Sequence, residues 1–192
     1  ASLKEYLDGG GRLMLSSQDY LYYHHGGAFA RDYLGVLSYT EDITPTYVQG
    51  ISENPVGTDL GPWPLVYPFE YENWSDGVVP AQGAGVVFRN EGPRGAALGL
   101  TRREGKEATL FLPFPFEALR SDERRVMMER AVGWLSWLGQ SAIRAEPRNA
   151  SVGDTVTVTL TVHNDGLETV TASLSNSVPS EISPGAATLS GP

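Results

Sequence analysis

The sequence predicts an α/β domain over residues 1–139 followed by the beginning of an all-β sandwich over 140–192, and three stretches carry that prediction. Gly9 to Tyr20 reads as a helix stop, a short apolar strand and a polar elbow. Residues 122–138 place Met127, Ala131, Trp134, Leu135 and Leu138 on one face at helical spacing. Val156, Val158, Leu160 and Val162 alternate with Thr157, Thr159, Thr161 and His163, the period of a half-buried strand.

Each element follows from local chemistry. Ser2 and Glu5 have the spacing of a capping box, with Leu3, Tyr6 and Leu7 on one face, so a short helix is expected over 3–8 and Gly9 ends it. Leu13 to Leu15 then form a strand expected to be buried. The aromatic and histidine-rich residues 20–27 read as a loop, and Phe29, Tyr33 and Leu34 suggest a second short helix closed by Gly35. Prolines at 45, 55, 62, 64, 68 and 80 break up the following region, leaving short strands near 46–48 and 65–67. Residues 85–89, 96–101 and 108–112 are apolar runs separated by turns at 90–93 and 103–106, an antiparallel meander that feeds a buried strand. The long helix over 122–138 should be capped by Ser121 and stopped by Gly139.

After residue 139, Thr, Ser, Val and Gly take over. Asn164-Asp165-Gly166 turns the chain, and Val170, Ala172 and Leu174 would form the inner face of a returning strand. A complete sandwich of this kind takes about 100 residues, so a truncated domain with exposed strand edges is expected. Association of two copies through those edges follows as an expectation.

The formal charge of -9, with no basic stripe, disfavours nucleic acid and anionic membrane surfaces as partners. No apolar run approaches the ~20 residues of a membrane helix, so membrane insertion is not expected. The absence of cysteine removes disulfides, thiolate metal sites and a cysteine nucleophile.

The run Gly153-Asp154-Thr155-Val156-Thr157-Val158-Thr159-Leu160-Thr161-Val162 with Asn164-Asp165-Gly166 resembles the immunoglobulin-like repeats of bacterial surface and secreted proteins. Tyr6-Leu7-Asp8-Gly9-Gly10-Gly11 with Leu13-Met14-Leu15-Ser16-Ser17-Gln18-Asp19, and Leu110 to Leu119 followed by Trp134-Leu135, resemble a second family. That family is the class I glutamine amidotransferase-like superfamily, in the non-amidotransferase branches attached to secreted bacterial proteins, including peptidases. The resemblance implies part of a three-layer, flavodoxin-like sandwich, with further strand–helix units preceding residue 1. It also implies an extracellular or cell-surface setting and other domains of a larger parent chain as partners.

Working amidotransferases carry a cysteine on the elbow and a histidine and glutamate after a later strand, because a thiolate needs an oriented base. Here the elbow offers Ser16 or Ser17, and the later motif falls on Phe114-Pro115-Phe116-Glu117, where only the glutamate survives. The expected role is therefore a non-catalytic accessory or interaction region.

Two alternatives remain. A serine hydrolase would use Ser17 with His24 or His25, and Glu117 as the acidic member, although solvated loop histidines are the simpler reading. A glycan or protein ligand would be held by Gln18 and Asp19 at the strand end, or by the aromatic group Trp63, Tyr67, Phe69, Tyr71 and Trp74. Packing of those rings onto the sheet is the competing explanation. The histidines, Asp19 and Asp32 lack the spacing of a metal motif, and no cofactor or metal is expected. The acidic residues Glu41, Asp42, Glu70, Glu72 and Asp76 read as solvated surface.

Overall fold

The computed structural model describes residues 2–68, 72–90, 95–136, 142–147, 151 and 153–162. It is a mixed α/β fold with several small sheets and few helices. Helix α1 (Leu3–Asp8) forms with its capping box in place: Ser2 Oγ accepts from the Glu5 amide at 3.3 Å, and Glu5 Oε2 accepts from the Ser2 amide at 2.7 Å. Gly10 leaves the helix at φ +89°, and a side chain on Gly11 would lie 2.5 Å from the Tyr6 ring. The glycines therefore permit both the reversal and the close packing that launch strand β1 (Arg12–Ser16).

Two short helices follow, α2 (Tyr20–His24) and α3 (Ala28–Asp32), then strands β2 (Val36–Thr40), β3 (Tyr47–Gly50), β4 (Trp63–Pro64) and β5 (Gly77–Pro80). The meander is β6 (Ala84–Val86), β8 (Leu100–Glu104) and β9 (Glu107–Leu112), while β7 (Phe88–Arg89), which follows β6 in the chain, pairs with β3 instead. A 3-10 turn at Phe116–Ala118 leads to α4 (Ser121–Leu135), and the described chain ends with β10 (Ala142–Glu146) and β11 (Thr157–Thr161).

The main sheet has the order β1-β9-β8-β6, with β1 parallel to β9 and the other pairs antiparallel. Strand β9 is its centre, and Ala108 to Leu112 are all buried. Its alternating side chains serve both faces. Leu110 and Leu112 pack with Met127 and Ala131 of α4 and with Val48, Leu65 and Phe88, whereas Phe111 packs with Leu21, Ala30, Leu34, Val36 and Val78. Smaller sheets, β2-β5 and β4-β3-β7, complete the cover. Two buried polar side chains tie segments together: Asn54 Nδ2 donates to Thr101 Oγ1 at 2.8 Å, and Thr109 Oγ1 donates to the Tyr33 carbonyl at 2.6 Å.

Several expectations need correction. Strand β1 is half-buried rather than buried, because it is an edge strand. The Tyr6 hydroxyl occupies part of that edge, exchanging 3.0 Å hydrogen bonds with both the amide and the carbonyl of Arg12. The aromatic segment expected as a loop contains α2, whose Leu21 supplies the buried anchor. The pairing near 65–67 instead involves Trp63 and Pro64, and β2 and β5 were not anticipated.

Helix α4 starts one residue earlier than expected, at the residue expected to cap it. Arg120 takes the cap position and its amide donates to Glu123 Oε2 at 2.8 Å, leaving Ser121 as the first helical residue. At the other end, Arg103 of β8 lies 4.4 Å from the Trp134 ring and donates to the Trp134 carbonyl at 2.7 Å. A cation there suits the negative end of the helix. Leu138 and Gly139 lie outside the described residues, as does the boundary expected at 139–140.

Strand β11 pairs antiparallel with β10, Ala142 opposite Thr161. Val158 and Leu160, expected to face inward, are 59% and 41% exposed. A two-stranded ladder buries an alternating face only when a further layer covers it. The returning strand expected at 170–174 lies outside the described residues.

Candidate functional site

The carboxyl ends of β1 and β9 bring together residues that stand far apart in sequence. Ser16 ends β1 opposite Leu112, and its hydroxyl donates to the Phe114 carbonyl at 2.8 Å and accepts from the Phe116 amide at 2.7 Å. That one side chain fastens the elbow to the turn after β9. The Ser17 amide continues the ladder by donating to the Leu112 carbonyl at 3.1 Å. Its hydroxyl turns back locally and accepts from the Asp19 amide at 3.3 Å.

The catalytic candidates are not assembled around Ser17. His24 closes α2, is exposed and lies with its ring 4.6 Å from the Tyr20 ring. His25 is exposed in a left-handed turn at φ 49°. Glu117 is exposed on the 3-10 turn, where its carbonyl accepts from Arg124 at 3.1 Å. Among the described residues, neither serine hydroxyl has a histidine as hydrogen-bond partner. The elbow meets the Phe114–Phe116 segment through Ser16, a choice between two serines that the sequence left open.

The ligand candidates divide. Trp63 and Tyr67 pack against the core, Trp63 with its ring 6.1 Å from that of Phe88, and the Tyr67 hydroxyl shares a 2.7 Å hydrogen bond with Ser75. Tyr71 and Phe69 lie outside the described residues. Trp74 is 48% exposed, and its amide donates to Gln18 Oε1 at 3.2 Å. Gln18 and Trp74, separate candidates in the sequence, thus share one rim. Asp19 sits half-buried at the start of α2 without a side-chain capping bond.

The residue that sequence reading missed is Asp76. The sequence groups it with solvated acidic residues, a description that fits exposed Glu72, Glu41 and Asp42 but not a residue only 2% exposed. Its amide donates to the Pro113 carbonyl at 3.0 Å, its Oδ1 accepts from the Asp42 amide at 3.3 Å, and its Oδ2 has no hydrogen-bond partner. Burial is the main cause that pushes its carboxyl up to about 6; the Asp42 amide opposes the shift, while the charges of Asp42, Glu41 and Asp19 reinforce it. The sequence signal was slight: Asp76 stands between two small residues in Ser75-Asp76-Gly77.

A cavity of about 410 Å³ lies instead at the amino ends of β1 and β9, lined by Asp8, Tyr33, Arg102 and Glu107 among others. Its polar groups are already paired. Tyr33 donates to Asp8 at 2.5 Å, Lys4 donates to both, and Arg102 pairs with Glu104 and, at 2.7 Å, with Glu107. The hydrogen bond from Tyr33, then that from Lys4, holds the Asp8 carboxyl below the usual range. Among the described residues, no three His, Cys, Asp or Glu side chains are grouped to hold a metal ion.

No protein-family model and no curated protein matches the chain. Among solved structures, it is similar to the cytoplasmic protein STM3548 from Salmonella typhimurium, with 15% identity and a TM-score of 0.45. The similarity covers 59% of this chain and 48% of that protein, so the chain spans about half of its length.

Proposed function

We propose that this chain is a non-catalytic accessory or interaction region of a larger secreted or surface bacterial protein, such as a peptidase. In this reading, residues 1–139 are part of an amidotransferase-like, flavodoxin-like sandwich and residues 140–192 begin an immunoglobulin-like module. The observation that supports it is the use of the elbow hydroxyls. Ser16 is occupied on both sides by the 114–116 turn and Ser17 by the Asp19 amide, so the elbow acts as a clasp. A nucleophile would need its hydroxyl held by a base.

Interaction is assigned to the rim beside the clasp. Trp74 and Gln18 are neighbours there, at the end of the sheet where open α/β folds bind ligands. A half-exposed indole beside an amide suits the apolar face of a sugar or an apolar side chain of another domain of the parent chain. Trp74→Ala should cost less than about 1 kcal/mol in stability, because the indole is only partly buried. Glycan-array binding by the unaltered protein that disappears in this variant, with melting unchanged, would identify the ligand as carbohydrate. Loss of folding in Trp74→Ala would make the indole a packing residue and contradict the assignment of the rim.

A further inference from the structure

Asp76 belongs to a segment that pins three others together at the carboxyl end of the sheet. Its neighbour Ser75 accepts from the Ile43 amide at 3.0 Å, Asn73 donates to the Pro45 carbonyl at 2.7 Å, and Trp74 donates to Gln18. Asp76 adds the bonds to the Asp42 amide and the Pro113 carbonyl. Three of the hydrogen bonds that hold the 41–46 segment thus come from residues 73–76, while the Thr46 carbonyl accepts from the Leu65 amide at 2.9 Å and Ile43 packs against the core.

That segment does not rest in a conformation of its own preference. Asp42 has φ +53° and Thr44 φ +46°, the left-handed region that side chains, and β-branched ones above all, avoid. Contacts with 73–76 oppose that strain. Among the described residues, the charged groups that act most on the Asp76 carboxyl are acidic: Asp42 and Glu41 from the segment after β2, and Asp19 from the β1 elbow. The Tyr39 phenol of β2 is also influenced by Asp76, while the turn after β9 offers only a carbonyl. A charge on Asp76 would therefore be buried, bonded by one amide and surrounded by like charges.

We propose that Asp76 is a proton-operated latch: as a neutral acid it holds the 41–46 segment against the carboxyl end of the sheet, and its ionisation releases that segment. The device sits beside Trp74 and Gln18, so release would alter the same rim. Its direction follows from linkage. The closed state binds the Asp76 proton more tightly than an open state in which the carboxyl is solvated, so closure is favoured at low pH and weakens as pH rises through about 6.

Hydrogen–deuterium exchange of the full chain, with rates corrected for intrinsic pH dependence, tests this. Protection of peptides spanning 41–46 and 73–76 should fall about tenfold between about pH 5 and about pH 8, while that of β9 stays constant. In Asp76→Asn the fall should disappear. Asp42→Asn removes a repelling charge and retains the amide, so it should move the midpoint to lower pH and provides the decision if Asp76→Asn does not fold. Constant protection in the unaltered protein, the same fall in Asp76→Asn, an unmoved midpoint in Asp42→Asn, or an equal fall in β9 would each overturn the latch.

Discussion

Replacing Phe111 by alanine is expected to destabilise the domain by about 3–5 kcal/mol, the cost of emptying a fully buried aromatic site. Phe111 has no exposed surface and lies on the central strand, paired with Leu15 of β1 and Leu100 of β8. Its ring meets that of Tyr20 edge-on at 6.0 Å, and it packs among Leu21, Ala30, Leu34 and Val36. The neighbours come from a strand and from two helices too short to be stable alone, which must hold to the sheet by packing. A loss of this size is a large share of the roughly 5–15 kcal/mol that stabilises a typical domain. Urea denaturation should show a lower midpoint with an unchanged slope. A loss below about 1 kcal/mol would show that this face of the sheet is not core.

Ser16→Ala is expected to cost about 2–4 kcal/mol, because it leaves the Phe114 carbonyl and the Phe116 amide without their partner. Phe114 is fully buried and Phe116 packs against the same cluster, so the freed backbone groups lie where the core meets the turn. Ser17→Ala removes a single local 3.3 Å hydrogen bond and should cost less than about 1 kcal/mol. The contrast between adjacent serines is the useful quantity, since both variants remove the same atom. Equal losses, or a neutral Ser16→Ala, would contradict the clasp.

Local signals in the sequence correspond to local structure. The Ser2–Glu5 box, the helix through Met127 and Ala131 and the meander through Leu110 all depend on contacts between residues near in sequence or on strong periodicity. What escaped depends on distant pairing. Strand β2 joins β5 across some forty residues of proline-rich chain and neither run has a clean alternation. The edge position of β1 follows from strand order, which no property of Leu13 to Leu15 encodes.

The site shows the same division. The elbow residues were legible as a strand end, but the different tasks of Ser16 and Ser17 follow from the register of β1 on β9. The aromatic group was legible as a cluster, yet packing claims Trp63 and Tyr67 while Trp74 turns outward to Gln18. Asp76 carried the weakest signal, because burial of one acid among several is decided by segments that close over it from elsewhere in the chain.

The most direct measurement is treatment of the folded full chain with a serine-directed fluorophosphonate, followed by mass spectrometry of the intact protein and of its peptides. An activated serine is labelled because a base has raised its nucleophilicity, whereas a hydroxyl engaged only with backbone groups has ordinary reactivity. No labelling of Ser16 or Ser17 above the level of other surface serines is predicted. Saturable labelling of either residue that disappears in His24→Ala or His25→Ala would contradict the clasp and restore a hydrolase.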